Sequence, residues 1–132
     1  MSENSVLFVD DKKLILRVME QMLIDQEFNK FFANSADEAL KVLESNDINV
    51  IVTDIIMPNI NGLQLLQMVK EKYPKVVRVA LSGCSNASYI VDVINKGEVY
   101  RYLTKPLQIT EDSKRILKEA IEYSHYLRSI KS

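Results

Sequence analysis

A chain of 132 residues, 47% apolar and 27% charged, has the length and composition of one ordinary globular domain with a sizeable core. Seventeen basic against eighteen acidic residues leave a net charge of −1 with no basic tract, which argues against a direct nucleic-acid partner. No apolar run approaches a membrane span, and the one cysteine, Cys84, excludes an internal disulfide and a thiolate metal site, so a cytoplasmic setting is expected.

Val6-Leu7-Phe8-Val9 reads as a short strand ended by Asp10-Asp11. From Lys12 to Gln26 the residues Ile15, Val18, Met19, Met22 and Leu23 recur at three- and four-residue spacing, which predicts a helix with one buried stripe. Lys30 to Ala33 gives a second strand. Ser35 follows as an N-cap with Glu38 three residues on as a capping box, and the helix behind it carries Ala36, Ala39, Leu40 and Leu43. Asn49 to Asp54 is an apolar, β-branched run without a helical period, the mark of a strand buried on both faces. Its loop holds Pro58 and Asn61-Gly62. Leu63, Leu66, Met68 and Val69 then mark a third helix, stopped before Tyr73-Pro74. Val76 to Leu81 is a fourth strand, apolar except for Arg78, and Ser82 to Asn86 a polar loop. Tyr89, Ile90, Val93 and Ile94 predict a fourth helix that Gly97 ends. Val99 to Thr104 is a fifth strand, Lys105-Pro106 its exit, and a last helix runs from Ile109 to about Ile130.

Five βα units with short connections imply an α/β fold, a parallel sheet with helices on both faces. A doubly wound sheet of order 2-1-3-4-5 sets the first and third strands side by side at its switch point. That order gathers Asp10, Asp11, Asp54, Ser82 and Lys105 at one edge.

A carboxylate inside a buried strand is costly, so Asp54 is expected at the strand's lip, where it reaches solvent and a metal. Three carboxylates on one lip repel one another, and a divalent cation compensates them. Oxygen ligands favour Mg²⁺ or Mn²⁺ over zinc. Lys105 adds a compact positive charge, Ser82 a hydroxyl, and Gly83 lets the backbone come close. A carboxylate nucleophile with these neighbours can receive a phosphoryl group, a reaction that needs positioning and charge neutralisation more than a general base. Each residue also has an ordinary reading. Asp10 and Asp11 could cap the following helix, Ser82-Gly83 could be a turn, Lys105 a solvated strand exit, and Tyr102 packing. Four strand ends carrying the right chemical type together favour the site. His125, the only histidine, is expected at the surface without a catalytic role.

From about Val6 to Tyr123 the chain resembles the receiver domains of bacterial two-component response regulators, whose flavodoxin-like three-layer sandwich has this strand order. The likeness rests on Asp10-Asp11, Asp54, Met57-Pro58 with Gly62, Ser82, Tyr102 and Lys105-Pro106. It implies that Asp54 accepts a phosphoryl group from a sensor histidine kinase or phosphotransfer protein. Asp11, Asp54 and the backbone carbonyl of Ile56 would bind Mg²⁺ directly and Asp10 through water. Lys105 would pair with the phosphoryl oxygens. Ser82 and Tyr102 would act as switch residues, remodelling a face of helix four, strand five and the last helix. Serine at position 82 stands where threonine is commoner, which implies looser coupling. Ile56 and Cys84 are less polar than in fast-cycling members and imply a long-lived aspartyl phosphate.

The run Asn95 to Pro106 looks especially like receivers joined to cyclic-di-nucleotide phosphodiesterase outputs. Residues 1–123 then form the receiver, and 124–132 a helix extension or the start of a linker to an output domain. Tyr123, Tyr126, Leu127 and Ile130 continue an apolar stripe that suits a homodimer or a downstream helix, and the resemblance implies the face of helix four, strand five and the last helix as the other homodimer surface. Apart from self-phosphorylation and self-dephosphorylation, no enzyme activity is expected. An aspartate-nucleophile phosphohydrolase is the main alternative, opposed by the adjacency of Asp10 and Asp11. A flavodoxin-like cofactor binder is disfavoured because no phosphate-cradling glycine loop is present.

Overall fold

Alternation along the strands decides the architecture. In β1 (Ser5–Val9) and β3 (Val50–Asp54) every residue is buried, because successive side chains point to opposite faces and both faces are covered. The computed structural model describes residues 3–55, 57, 61–83 and 99–130. Its sheet has the order β2-β1-β3-β4-β5 with every neighbouring pair parallel, β2 being Asn29–Ala33, β4 Val77–Ser82 and β5 Arg101–Thr104.

One face carries Leu7, Val9 and Ile51 under α2 (Ala36–Ser45) and α3 (Gly62–Lys72), which add Ala39, Leu43, Leu65, Leu66 and Val69. The other carries Val6, Phe8, Val52, Val79 and Leu81 under α1 (Lys13–Met22) and a C-terminal helix, Glu111–Ser129, which add Leu16, Met19, Leu117 and Ala120. Helix on both sides of a parallel sheet makes the expected three layers. No helix among the described residues is long and apolar enough to cross a membrane.

Several details depart from the sequence expectation. In α1 the buried residues are Leu16 and Met19, followed by Leu23, whereas Val18 is 47% exposed. In α3 Leu65 is buried and Met68 exposed. Ser35 caps α2 by accepting from Glu38 N, but the Glu38 carboxylate reaches back to Asn34 N and not to the cap residue itself. β5 starts at Arg101, with Val99 buried just before it. The predicted fourth helix and its Gly97 cap lie outside the described residues, as do Pro58, Ile56 and Cys84.

At the N-terminal end of the sheet, Asn49 joins four segments. Its Nδ2 donates to Ser124 Oγ at 2.8 Å and its Oδ1 accepts from Ser5 N at 2.9 Å. Its backbone N donates to Ser5 O and its carbonyl accepts from Val77 N, both at 2.9 Å. The C-terminal helix is held there at its far end as well, where Arg128 donates to Asp47 Oδ2 at 2.9 Å and to Ile48 O at 3.0 Å.

Candidate functional site

Four strand ends build the opposite edge. β1 delivers Asp10 and Asp11, β3 ends on Asp54, β4 ends on Ser82, and Lys105 follows β5. The strands are locked in register there, Asp54 opposite Leu81 and Ser82 opposite Thr104. Lys105 N donates to Ser82 O at 3.0 Å, extending the β4–β5 ladder by one bond so that the lysine turns inward.

Burial exceeds the expectation. Asp54 does not reach solvent at a lip: it is 4% exposed, and Asp10 is fully buried. The carboxylate is tolerated because Lys105 Nζ donates to Asp54 Oδ2 at 2.7 Å and lies 3.3 Å from Asp10 Oδ2. Burial works against the lysine's charge. The hydrogen bond and charge of Asp54, helped by Asp10, outweigh it and hold the pKa of Lys105 above the ordinary 10.5. Gly83 leaves room for the lysine stem, since a methyl group there would lie 3.2 Å from Lys105 Cβ.

Asp10 has two unlike oxygens. Oδ1 accepts from Lys12 N at 2.9 Å and so shapes the turn into α1, whose own N-cap, Lys12, makes no side-chain cap. Oδ2 is buried and has no hydrogen-bond partner among the described residues. One carboxylate oxygen each from Asp10, Asp11 and Asp54 lies within 4.8 Å of the others. A buried acceptor with an ion pair but no hydrogen bond, among three acids at that spacing, suits a hard divalent cation with oxygen ligands. Ser82 is buried at the end of β4 and Tyr102 is 43% exposed on β5, so spacing alone did not make Tyr102 a core residue. His125 is at the surface, its Nε2 2.6 Å from Asn4 Oδ1.

Sequence reasoning passed over Thr53, which is fully buried and donates from Oγ1 to the Asp54 carbonyl at 3.0 Å. It also passed over the capping box that opens α3, legible as Asn61 with Gln64 three residues on.

The model of the response regulator receiver domain matches residues 6–118. The chain belongs to this family. The hydrogenase transcriptional regulatory protein HoxA of Cupriavidus necator is 34% identical over 102 residues, 77% of this receiver and 21% of that protein. A response regulator of Rickettsia conorii described as NtrX-like is 33% identical over 108 residues, 80% of this receiver and 23% of its own length. The receiver thus spans under a quarter of either relative. Among solved structures, the signal receiver domain of an HD domain-containing protein from Pseudomonas fluorescens Pf-5 matches with a TM-score of 0.87 at 30% identity, over 97% of this receiver and 93% of that chain. Membership does not favour the phosphohydrolase alternative, whose acids would be arranged otherwise.

Proposed function

We propose that Asp54 is the phosphoryl acceptor of this receiver and that a phosphohistidine of a sensor kinase or phosphotransfer protein is the donor. The observation that carries the reading is the Asp54–Lys105 pair beside Asp10 Oδ2, which shares the same lysine at 3.3 Å and accepts no hydrogen bond among the described residues. An Asp54 oxygen forms the new O–P bond while the donor's N–P bond breaks and its electron pair returns to the imidazole. Lys105 first neutralises Asp54 and then shifts to the phosphoryl oxygens, so the step needs little reorganisation of charge. Asp10, Asp11 and Asp54, with the Ile56 carbonyl, would hold Mg²⁺ or Mn²⁺, which when bound offsets the negative charge shared by acceptor and phosphoryl group.

A cavity of about 500 Å³ that reaches the acceptor's partner, Lys105, fits the donor's approach. Ile15, Val18 and Met22 of α1 line one wall, and Lys105, Pro106 and Leu107 the other. Leu14, 72% exposed, extends the apolar surface, which suits a helix presenting its histidine.

Ser82 and Tyr102 serve as the switch pair, supported by the burial of the first and the exposure of the second. Residues 1–123 act as the receiver, with 124–132 leading toward an output domain. The phosphodiesterase type that the run from Asn95 resembles is our choice of output, and the cytoplasm its setting. Exposed Tyr123, Tyr126 and Ile130 support a homodimer through the C-terminal helix.

Incubation with Mg²⁺ and acetyl phosphate should add one phosphoryl group by intact mass, and Asp54→Asn should abolish it. The same adduct on the Asn variant would refute the assignment.

A further inference from the structure

Gly62 opens α3 where the helix meets the end of β3, and its need for glycine is one of space. A methyl group there would lie 1.9 Å from the Asp54 carbonyl oxygen, 2.7 Å from the Asp54 carbonyl carbon and 2.6 Å from Ile55 Cα. All three are main-chain atoms, so no side-chain rotation relieves the overlap. The start of the helix is fixed as well. Asn61 Oδ1 accepts from Gln64 N at 2.8 Å, Asn61 N donates to Gln64 Oε1 at 3.0 Å, and Leu65 and Leu66 are fully buried. Across the peptide, Ile55 N donates to Leu81 O at 3.3 Å, the last rung toward β4. The Asp54 carboxylate hangs from the atoms so confined.

We infer that Gly62 is a positioning residue for Asp54: the capped start of α3 is a stop that sets the Asp54–Ile55 peptide and, through it, the carboxylate among Asp10, Asp11 and Lys105. Gly62 touches neither the cation nor the phosphoryl group; it acts through the backbone of Asp54. The inference rests on the acceptor role given to Asp54 above.

The test uses the full chain with Gly62→Ala, Asn61→Ala or Ser124→Ala, the last removing a buried hydrogen bond at the other end of the sheet. Each is titrated with Mg²⁺ alone by calorimetry and then phosphorylated with acetyl phosphate, its folding followed by circular dichroism and thermal melting. A misplacement of about 1 Å can cost on the order of a hundredfold in rate, so Gly62→Ala should weaken Mg²⁺ binding and slow phosphorylation by at least about tenfold. Ser124→Ala should lower the melting temperature and change neither by more than about twofold. Asn61→Ala loosens the stop without adding an atom; a loss of about threefold in both decides the matter if Gly62→Ala does not fold. A folded Gly62→Ala within about twofold of the unsubstituted chain overturns the inference, as does an equal loss in Ser124→Ala or, where Gly62→Ala fails to fold, an unchanged Asn61→Ala. An unsubstituted chain that binds Mg²⁺ yet takes no phosphoryl group overturns the acceptor role instead, and the Mg²⁺ titrations still decide on Gly62.

Discussion

Both ends of the sheet bury polar side chains, and they treat them in opposite ways. At the N-terminal ends of the strands, Ser5, Asn49 and Ser124 are neutral and bonded to one another at 2.8–2.9 Å. At the C-terminal ends, Asp10 and Asp54 are just as buried but carry like charge, share one lysine, and leave Asp10 Oδ2 without a hydrogen bond. A satisfied buried network stabilises, whereas an uncompensated acid is retained only if something else needs it. On the function proposed above, the first end holds the fold and the second holds the chemistry. Substitutions at the two ends should therefore separate stability from function, and with opposite signs.

The largest effect is expected at the base. Asn49→Ala leaves the Ser5 amide and the Ser124 hydroxyl buried without their partner, a loss of about 2–3 kcal/mol. Urea unfolding measures it, and Mg²⁺ affinity should stay unchanged. A weakened metal site in this variant would show that the two ends are coupled and would break the comparison.

The site end should respond in the reverse sense. Asp10→Asn removes one of three crowded charges and keeps the side-chain oxygen that Lys12 N donates to. Mg²⁺ affinity should fall by about tenfold or more, equivalent to about 1.4 kcal/mol, while the metal-free melting temperature holds or rises. A metal-free variant markedly less stable than the parent would mean that Asp10 is kept for the fold.

How far these ends could be read in advance depended on the range of the contacts involved. β3 was legible because a β-branched run without helical period has few alternatives, and the strand order then gathered the acids and Lys105 correctly. The buried stripe of α1 was not, because Leu14, Ile15, Leu16, Val18, Met19, Met22 and Leu23 leave apolar residues on nearly every side. Periodicity alone cannot choose among such faces; the sheet does. The burial of Asp54 was missed although Lys105, 51 positions away, was gathered beside it: strand order brings the two together but does not show how tightly their 2.7 Å pair closes this edge to solvent. Asn49 looked like the ordinary start of a strand, since its partner Ser124 lies 75 positions along the chain. Thr110 caps the C-terminal helix by accepting from Ser113 N, and it escaped notice because its box closes with Ser113, where glutamate or glutamine is usual.

A smaller effect follows from Lys105. Its pKa is raised in the folded chain, so the folded state holds this proton more tightly than the unfolded one. The stability from its pairing with Asp54 and Asp10 is complete below 10.5 and is lost as pH climbs through the raised value. Thermal melts of the parent and Lys105→Met should differ by a constant amount from neutral pH up to 10.5 and converge above it. Convergence beginning well below 10.5 would remove the pair as its cause.

The smallest effect belongs to Arg128, although its contacts resemble those of Lys105 on paper. Arg128 also pairs with a carboxylate, Asp47, at 2.8 Å. That carboxylate is 79% exposed, so water screens the pair, and its loss should cost about 0–1 kcal/mol. The bond from Arg128 to the Ile48 carbonyl, at 3.0 Å, adds a little. Arg128→Lys keeps the charge and stem but loses the fork that reaches both acceptors. If geometry matters here, Arg128→Lys should destabilise as much as Arg128→Ala in urea unfolding; if only packing matters, Lys should rescue. A loss in Arg128→Ala matching that of Asn49→Ala would place a second anchor at this end of the sheet and make the C-terminal turn of the last helix part of what holds the receiver together.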